Sequence, residues 1–305
     1  MTDTVISMEA LLKQAGELPS LPEVYIRVTE LLESEDSSAI QIGDAVQTDL
    51  ALNAKVLKII NSAYYGLRNP VTSIAQAVTL MGREQLQQTL VGSVMSRVFQ
   101  GFDVRGFPLR DFWQHCIKTA IVARQLAMQN ARILDHEAFF TAGLLHDIGW
   151  LIIAKVNPQA FRVVNEIAEA EGKDIIQVEQ EKLGVTHIDV GVELLESWCL
   201  PDLIIQCVAN HHETEHTGAY AIETSIVYLA NRLSRINLFV EESSLEKILD
   251  ATLAWKTTRC TEEQIAVACQ LADEQWQEVM ELLGMMDLVI NDDHEDPFDF
   301  RTSIG

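Results

Sequence analysis

Residues 135–156 read DHEAFFTAGLLHDIGWLIIAKV. Apolar residues dominate on both sides of His146-Asp147, and a glycine follows two positions later. The pattern predicts a buried helix, a tight region at Gly149, and a second buried helix. An imidazole beside a carboxylate inside such a segment needs partners, because burying either alone is costly. Adjacent residues on a helix point about 100° apart. His146 and Asp147 can therefore share one ion only at a helix irregularity, which Gly149 is expected to supply.

The same helical spacing runs outward in both directions. Pro22 opens PEVYIRVTELLES, with Val24, Val28, Leu31 and Leu32 on one side. Ser37 and Ser38 precede AIQIGDAVQ. Asp49 stands as an N-cap before LALNAKVLKIINSAYYG, and Arg68-Asn69-Pro70 reads as a turn. Thr72 or Ser73 caps SIAQAVTLMG, and Gly82 fits its stop. Further helices are expected in REQLQQTLVGSVMSRVFQG, PLRDFWQHCIKTAIVARQLAMQ and the segments to Ile236. Two more helices are expected to close the fold, the last opening on the capping-box residues Thr261 and Gln264. No strand pattern or repeat is visible, so the fold class is all-α. Residues 101–110, GFDVRGFPLR, carry three Gly or Pro residues and mark a boundary between 1–105 and 106–290. The acidic segment 291–305 is expected to be disordered.

Composition narrows the function. The chain has 305 residues, of which 48% are hydrophobic, enough for a packed core. It holds 45 acidic against 22 basic residues, a formal charge of −23. A phosphate backbone or an anionic membrane would repel that surface, so direct nucleic-acid binding and membrane insertion are not expected. The five cysteines form no CxxC pair, and no leader pattern opens the chain. Both suit a cytoplasmic protein with cysteines as small core residues.

Of eight histidines, His115, His146, His187, His211 and His212 adjoin apolar helical stretches. Imidazole together with carboxylate suits Zn, Fe, Mn or Ni. A polar core network without any metal would use the same residue types. His136, His216 and His294 read as locally bonded or surface residues.

The ordered series His115, His146-Asp147, His211-His212 resembles the HD superfamily of metal-dependent phosphohydrolases. LPSLPEVYIRVTELLES, KVLKIINSAYYGLRNPVTSIAQAVTLMGREQL, FWQHC, AGLLHDIGW and HIDVGVELLESWCLP narrow the resemblance to the HDOD domain, over about residues 18–212. The Asn61–Gly66 turn and Trp198–Pro201 are its most telling pieces. The resemblance implies a helical N-terminal subdomain packed on an HD-like helical bundle. It implies a bacterial signal-transduction module that is catalytically silent and acts by protein or small-ligand binding. Its partners would be signalling proteins, cyclic-di-GMP pathway components among them. The alternative is a metal-dependent phosphohydrolase acting on nucleotides or other phosphoesters.

The resemblance also implies a ligand set for a divalent Fe, Zn or Mn ion: His115, His146, Asp147 and His211. Asn231 stands where the superfamily places a distal aspartate, and an amide there weakens binding. His187 and His212 are the candidates for a catalytic role or a second metal. For His187 a local helix-start role is set slightly ahead, and Glu213 reads as an exposed helix-end carboxylate. Two departures count against cyclic-di-GMP hydrolysis. Trp150 stands where the hydrolytic HD-GYP branch has a lysine, and TEHTGAY (214–220) replaces that branch's defining loop.

Overall fold

The structure is a computed structural model that describes residues 7–15, 19–62, 65–100, 107–130, 133, 135–235 and 253–289. The described residues contain helices and no strand. Six helices come first: α1 (Met8–Ala15), α2 (Glu23–Glu33), α3 (Ala39–Gln47), α4 (Leu50–Ile60), α5 (Ile74–Met81) and α6 (Arg83–Val98). Eight follow: α7 (Leu109–Met128), α8 (Glu137–Leu145), α9 (Gly149–Val156), α10 (Ala160–Glu171), α11 (Ile175–Lys182), α12 (His187–Ser197), α13 (Asp202–Ala209) and α14 (Ala221–Leu233). The last are α15 (Leu253–Thr258), α16 (Glu262–Leu282) and the single turn α17 (Met286–Val289).

Local chemistry sets the helix starts. Ser38 with Gln41, Thr186 with Asp189, and Thr261 with Gln264 form capping boxes. Asp49 caps α4, and Ser73 rather than Thr72 caps α5. Gly82 ends α5 with φ +88°, a conformation that suits glycine. The capping-box helix α16 is followed by α17, so it is not the last element.

The helices α2 to α6 pack on one another, and α6 lies on α8. Where they meet, Glu137 is buried between α6, α7 and α8. It pairs with Arg124 Nε and accepts from Gln85 Nε2 at 3.3 Å and Tyr65 Oη at 3.4 Å. Trp198 Nε1 donates to Pro19 O at 2.8 Å and so ties the N-terminal segment to the end of α12. The middle of the bundle is α7, which packs against α8, α14 and α16. It is buried nearly all round from Phe112 to Ala127, as expected of a core helix. The stretch Glu137–Val156 is long and apolar enough to cross a membrane, but 89% of its apolar window is buried. Its apolarity is that of the core.

The expected boundary falls at residues 101–106, outside the described residues, as does the acidic tail 291–305 with Phe298 and Phe300. Two residues of the Asn61–Gly66 turn also lie outside them. What is described shows Asn61 as a clamp. Its Nδ2 donates to Val71 O at 2.8 Å, and its Oδ1 accepts from Val71 N at 2.7 Å.

Candidate metal centre

The irregularity expected near Gly149 exists and has a different origin. Between α8 and α9 the bonds tighten to i→i−3: Ile148 N to Leu145 O at 3.0 Å and Trp150 N to Asp147 O at 2.9 Å. His146 and Ile148 keep right-handed helical backbone angles. The glycines serve close approach instead. A Cβ on Gly149 would lie 2.0 Å from His187 O, and one on Gly143 would lie 2.7 Å from Ala120 Cα. The two glycines flanking His146-Asp147 thus let α7 and α12 touch this segment backbone to backbone. That contact brings His115 of α7 and His187 of α12 to the same place.

Asp147 is at the centre and fully buried. Its Oδ2 lies 3.1 Å from His146 Nε2 and 3.5 Å from His115 Nε2. Its Oδ1 lies 3.2 Å from His187 Nε2 and 3.3 Å from His211 Nε2. The imidazole nitrogens also face one another, 3.1 Å apart for His115 and His146 and 3.2 Å for His187 and His211. His212 packs edge-on to His211, ring centroids 4.5 Å apart.

The far side of each ring decides what these nitrogens are. His146 Nδ1–H donates to Gly143 O at 2.8 Å, and His211 Nδ1–H donates to Val208 O at 2.6 Å. His187 Nδ1–H donates to Glu179 Oε1 at 2.7 Å. Ser234 Oγ donates to Asn231 O at 2.9 Å, so it accepts from His115 Nδ1–H at 3.0 Å. In their neutral forms all four rings then present an Nε2 lone pair to Asp147. With every ring neutral in this way, neither carboxylate oxygen has a hydrogen-bond donor among the described residues. Lone pairs aimed at lone pairs at these distances call for a positive charge among them, either a metal ion or a proton on one of the rings. Ligand atoms around an ion with bonds of about 2.1 Å sit about 3.0–3.4 Å apart, close to the 3.1–3.5 Å found between Asp147 and the Nε2 atoms of His115, His146, His187 and His211. The donors fit a transition-metal ion, and they form two sets that share Asp147: His115, His146 and Asp147, and Asp147, His187, His211 and His212.

Electrostatics supports the same picture. Burial opposes ionisation of Asp147, but the imidazoles, His146 foremost, hold its carboxyl well below the usual range. Burial drives His211 down to about 4 and holds His212 and His115 well below the usual histidine value. Burial also works against a charged His187, yet the Glu179 carboxylate, with Asp147 beyond it, pushes its pKa up to about 10. Without a metal, His187 is therefore the ring that carries the extra proton, held between two carboxylates.

The sequence reading brought His115, His146, Asp147, His187, His211 and His212 forward, and the structure gathers all six. For His187 the helix-start role and the site role coincide: it is the first residue of α12 and also faces Asp147. Asn231 borders the cluster, and its Oδ1 accepts from Arg235 Nη2 at 2.9 Å. Glu213 is exposed, and His136 bonds locally to Ile133 O. His294 lies outside the described residues. Glu179 and Arg235 were not foreseen. Glu179 reads as one surface charge among several in DIIQVEQEKLG, although it falls four residues after Ile175 and beside Val178, on the buried face. Arg235 lies one helical turn past Asn231, and its Nη2 reaches 3.3 Å from His115 Nε2. Burial lowers its pKa to about 10, so it stays charged at neutral pH.

A family model for the HDOD domain matches residues 18–214. The chain belongs to this family. Among solved structures it is similar to a candidate phosphohydrolase from Shewanella amazonensis SB2B. That likeness has a TM-score of 0.68 and 26% identity, covering 90% of this chain and 97% of that one. It is similar in fold to an HDOD domain protein of unknown function from Geobacter sulfurreducens, with a TM-score of 0.66, 22% identity, and coverage of 91% and 98%. An uncharacterized protein of Treponema pallidum (strain Nichols) is 26% identical over 238 residues. The match covers 77% of this chain and 45% of that relative, so the chain spans under half the relative's length. In this HDOD protein Trp150 stacks on the His187 ring, centroids 5.5 Å apart and planes 17° apart. An aromatic wall thus stands where the HD-GYP resemblance would place a lysine.

Proposed function

We propose that this HDOD protein is a signal-transduction module in which a divalent transition metal, Fe, Zn or Mn, organises the HD core without turning over phosphoesters. One observation carries the reading. His146, Asp147, His187 and His211 have no exposed surface, His115 is 3% exposed, and of the six donors only His212 is partly exposed. A hydrolase must admit a phosphate to its metal, and such sites are open clefts. Here Trp150 and the ring edges of the histidines close around the donors. A bound ion of this class polarises coordinated water when water can reach it. The residues of this chain do other work: Glu179 orients His187, Gly143 and Gly149 fix the approach of α7 and α12, and Trp150 excludes water. Output would pass through protein or small-ligand contacts, with partners in signalling, the cyclic-di-GMP pathway included.

A metal-dependent phosphohydrolase is the second reading, favoured by the gathered His donors around Asp147 and by the name of the Shewanella relative. Metal content of tag-free protein, wild type beside Asp147→Ala, tests the centre. A panel of nucleotides, cyclic dinucleotides and simple phosphoesters with Mn, Fe or Zn tests the silence. Near-stoichiometric metal with no turnover supports the proposal. Turnover that is lost in His146→Ala would replace it with the hydrolase.

A further inference from the structure

The two sides of Asp147 are not alike. Among the described residues, Oδ1 faces only histidines, His187 and His211. Oδ2 faces His146 and His115 and also a permanent cation, the guanidinium of Arg235, whose Nη2 is 3.9 Å away. That same nitrogen lies 2.9 Å from Asn231 Oδ1 and 3.3 Å from His115 Nε2. One nitrogen of Arg235 therefore sits among groups of α7, α14 and the Asp147 turn, all of which turn acceptors toward it. The Arg235 side chain is 9% exposed, so its charge needs these acceptors as much as they need a charge.

Asn231 completes the argument. A carboxylate at this position would add the negative charge that a divalent ion calls for. The amide adds none, and its oxygen is a suitable acceptor for a guanidinium donor. A divalent ion bound within this set would also lie against the Arg235 charge in a dry interior, where repulsion is strong.

We propose that Arg235 is the built-in cation of the His115, His146 and Asp147 set, standing in for a first metal. The centre then loads one ion, held by Asp147, His187, His211 and His212. The inference rests on the metal reading above and narrows it to one ion on one side of Asp147.

The test is metal stoichiometry. Tag-free protein is stripped with chelator, reloaded with excess Zn(II) or Mn(II), desalted, and analysed for metal per chain. Wild type should hold one ion, and N231D/R235A should hold two, because a carboxylate is introduced and the cation removed. The melting temperature of the double variant should also keep rising with added Zn(II) after that of wild type has levelled. Two ions in wild type, or one in both proteins, overturns the inference and leaves the metal centre standing. No ion in either protein removes the metal centre and the inference together. If the double variant does not fold, the wild-type count and Arg235→Gln decide, with two ions in wild type or no gain in Arg235→Gln counting against the proposal.

Discussion

Glu179 holds His187 at two points: Oε2 accepts the backbone N–H at 2.8 Å, and Oε1 accepts Nδ1–H at 2.7 Å. Both residues are fully buried. The pair fixes the ring so that Nε2 faces Asp147. Carboxylates behind a ligating histidine set its tautomer and raise its basicity, and losing one typically weakens metal binding about 10–100-fold. Glu179→Ala should weaken Zn(II) binding by that order, measured by competition with a chromophoric chelator. It should also lower stability by about 2–4 kcal/mol, because two buried donors lose their acceptor. Unchanged affinity would mean that His187 takes no part in the centre.

The glycines make a contrast that a denaturant series can resolve. Gly149→Ala places a methyl carbon 2.0 Å from the His187 carbonyl, which belongs to the backbone and cannot swing away. The crossing of α9 and α12 must open, at a cost of about 3 kcal/mol or more. Gly172→Ala meets no atom within 4 Å and carries only the strain of φ +61°, about 1–2 kcal/mol. Urea midpoints should therefore fall further for Gly149→Ala, and only that variant should also lose metal.

In metal-stripped protein, two histidines should bend stability in opposite directions. His211 titrates near 6.5 when unfolded and near 4 in the fold. The unfolded chain takes the proton first. The contribution of His211 is thus complete above about pH 6.5 and is lost as pH falls toward 4. His187 is raised to about 10. Its contribution is complete below about pH 6.5 and is lost as pH rises through 10. Stability should peak near neutrality, and His187→Gln should flatten the alkaline side. An unchanged alkaline limb in His187→Gln would show that the imidazolium between Glu179 and Asp147 does not form.

How far the sequence reached follows from what each signal depends on. Caps and helix stops were legible because they are local: Ser38, Asp49, Ser73, Gly82 and Thr261 act within one turn. The five clustered histidines and Asp147 stood out in the sequence because imidazoles next to apolar faces are conspicuous. Glu179 was not, since a glutamate in a helix rich in Glu, Gln and Lys gives no sign of facing inward until its partner is placed. Arg235 was hidden for a similar reason, because its meaning depends on where α14 sets it against α7. The role of Gly149 was misjudged in kind. A glycine after His-Asp suggested the source of a helix irregularity, whereas a contact between two helices distant in sequence requires it.

Cys199 offers a last test, away from the centre. It has φ 52°, in the left-handed region that β-carbon-bearing residues avoid. The reason is the end of α12. Cys199 N bonds to Glu196 O at 2.9 Å and Leu200 N bonds to Leu195 O at 3.1 Å, the pairing that closes a helix with a left-handed residue. Pro201 then prevents continuation. The turn lets Trp198 reach Pro19, so the chain has reason to keep it despite the strain. Glycine takes this conformation freely but loses more entropy on folding. Relief of strain exceeds that loss, so Cys199→Gly should stabilise the protein by about 0.5–1 kcal/mol. Cys199→Val, branched at Cβ, should destabilise it. The urea midpoints of the two variants should fall on opposite sides of wild type, and a fall for both would mean that the thiol makes a favourable contact that outweighs the strain.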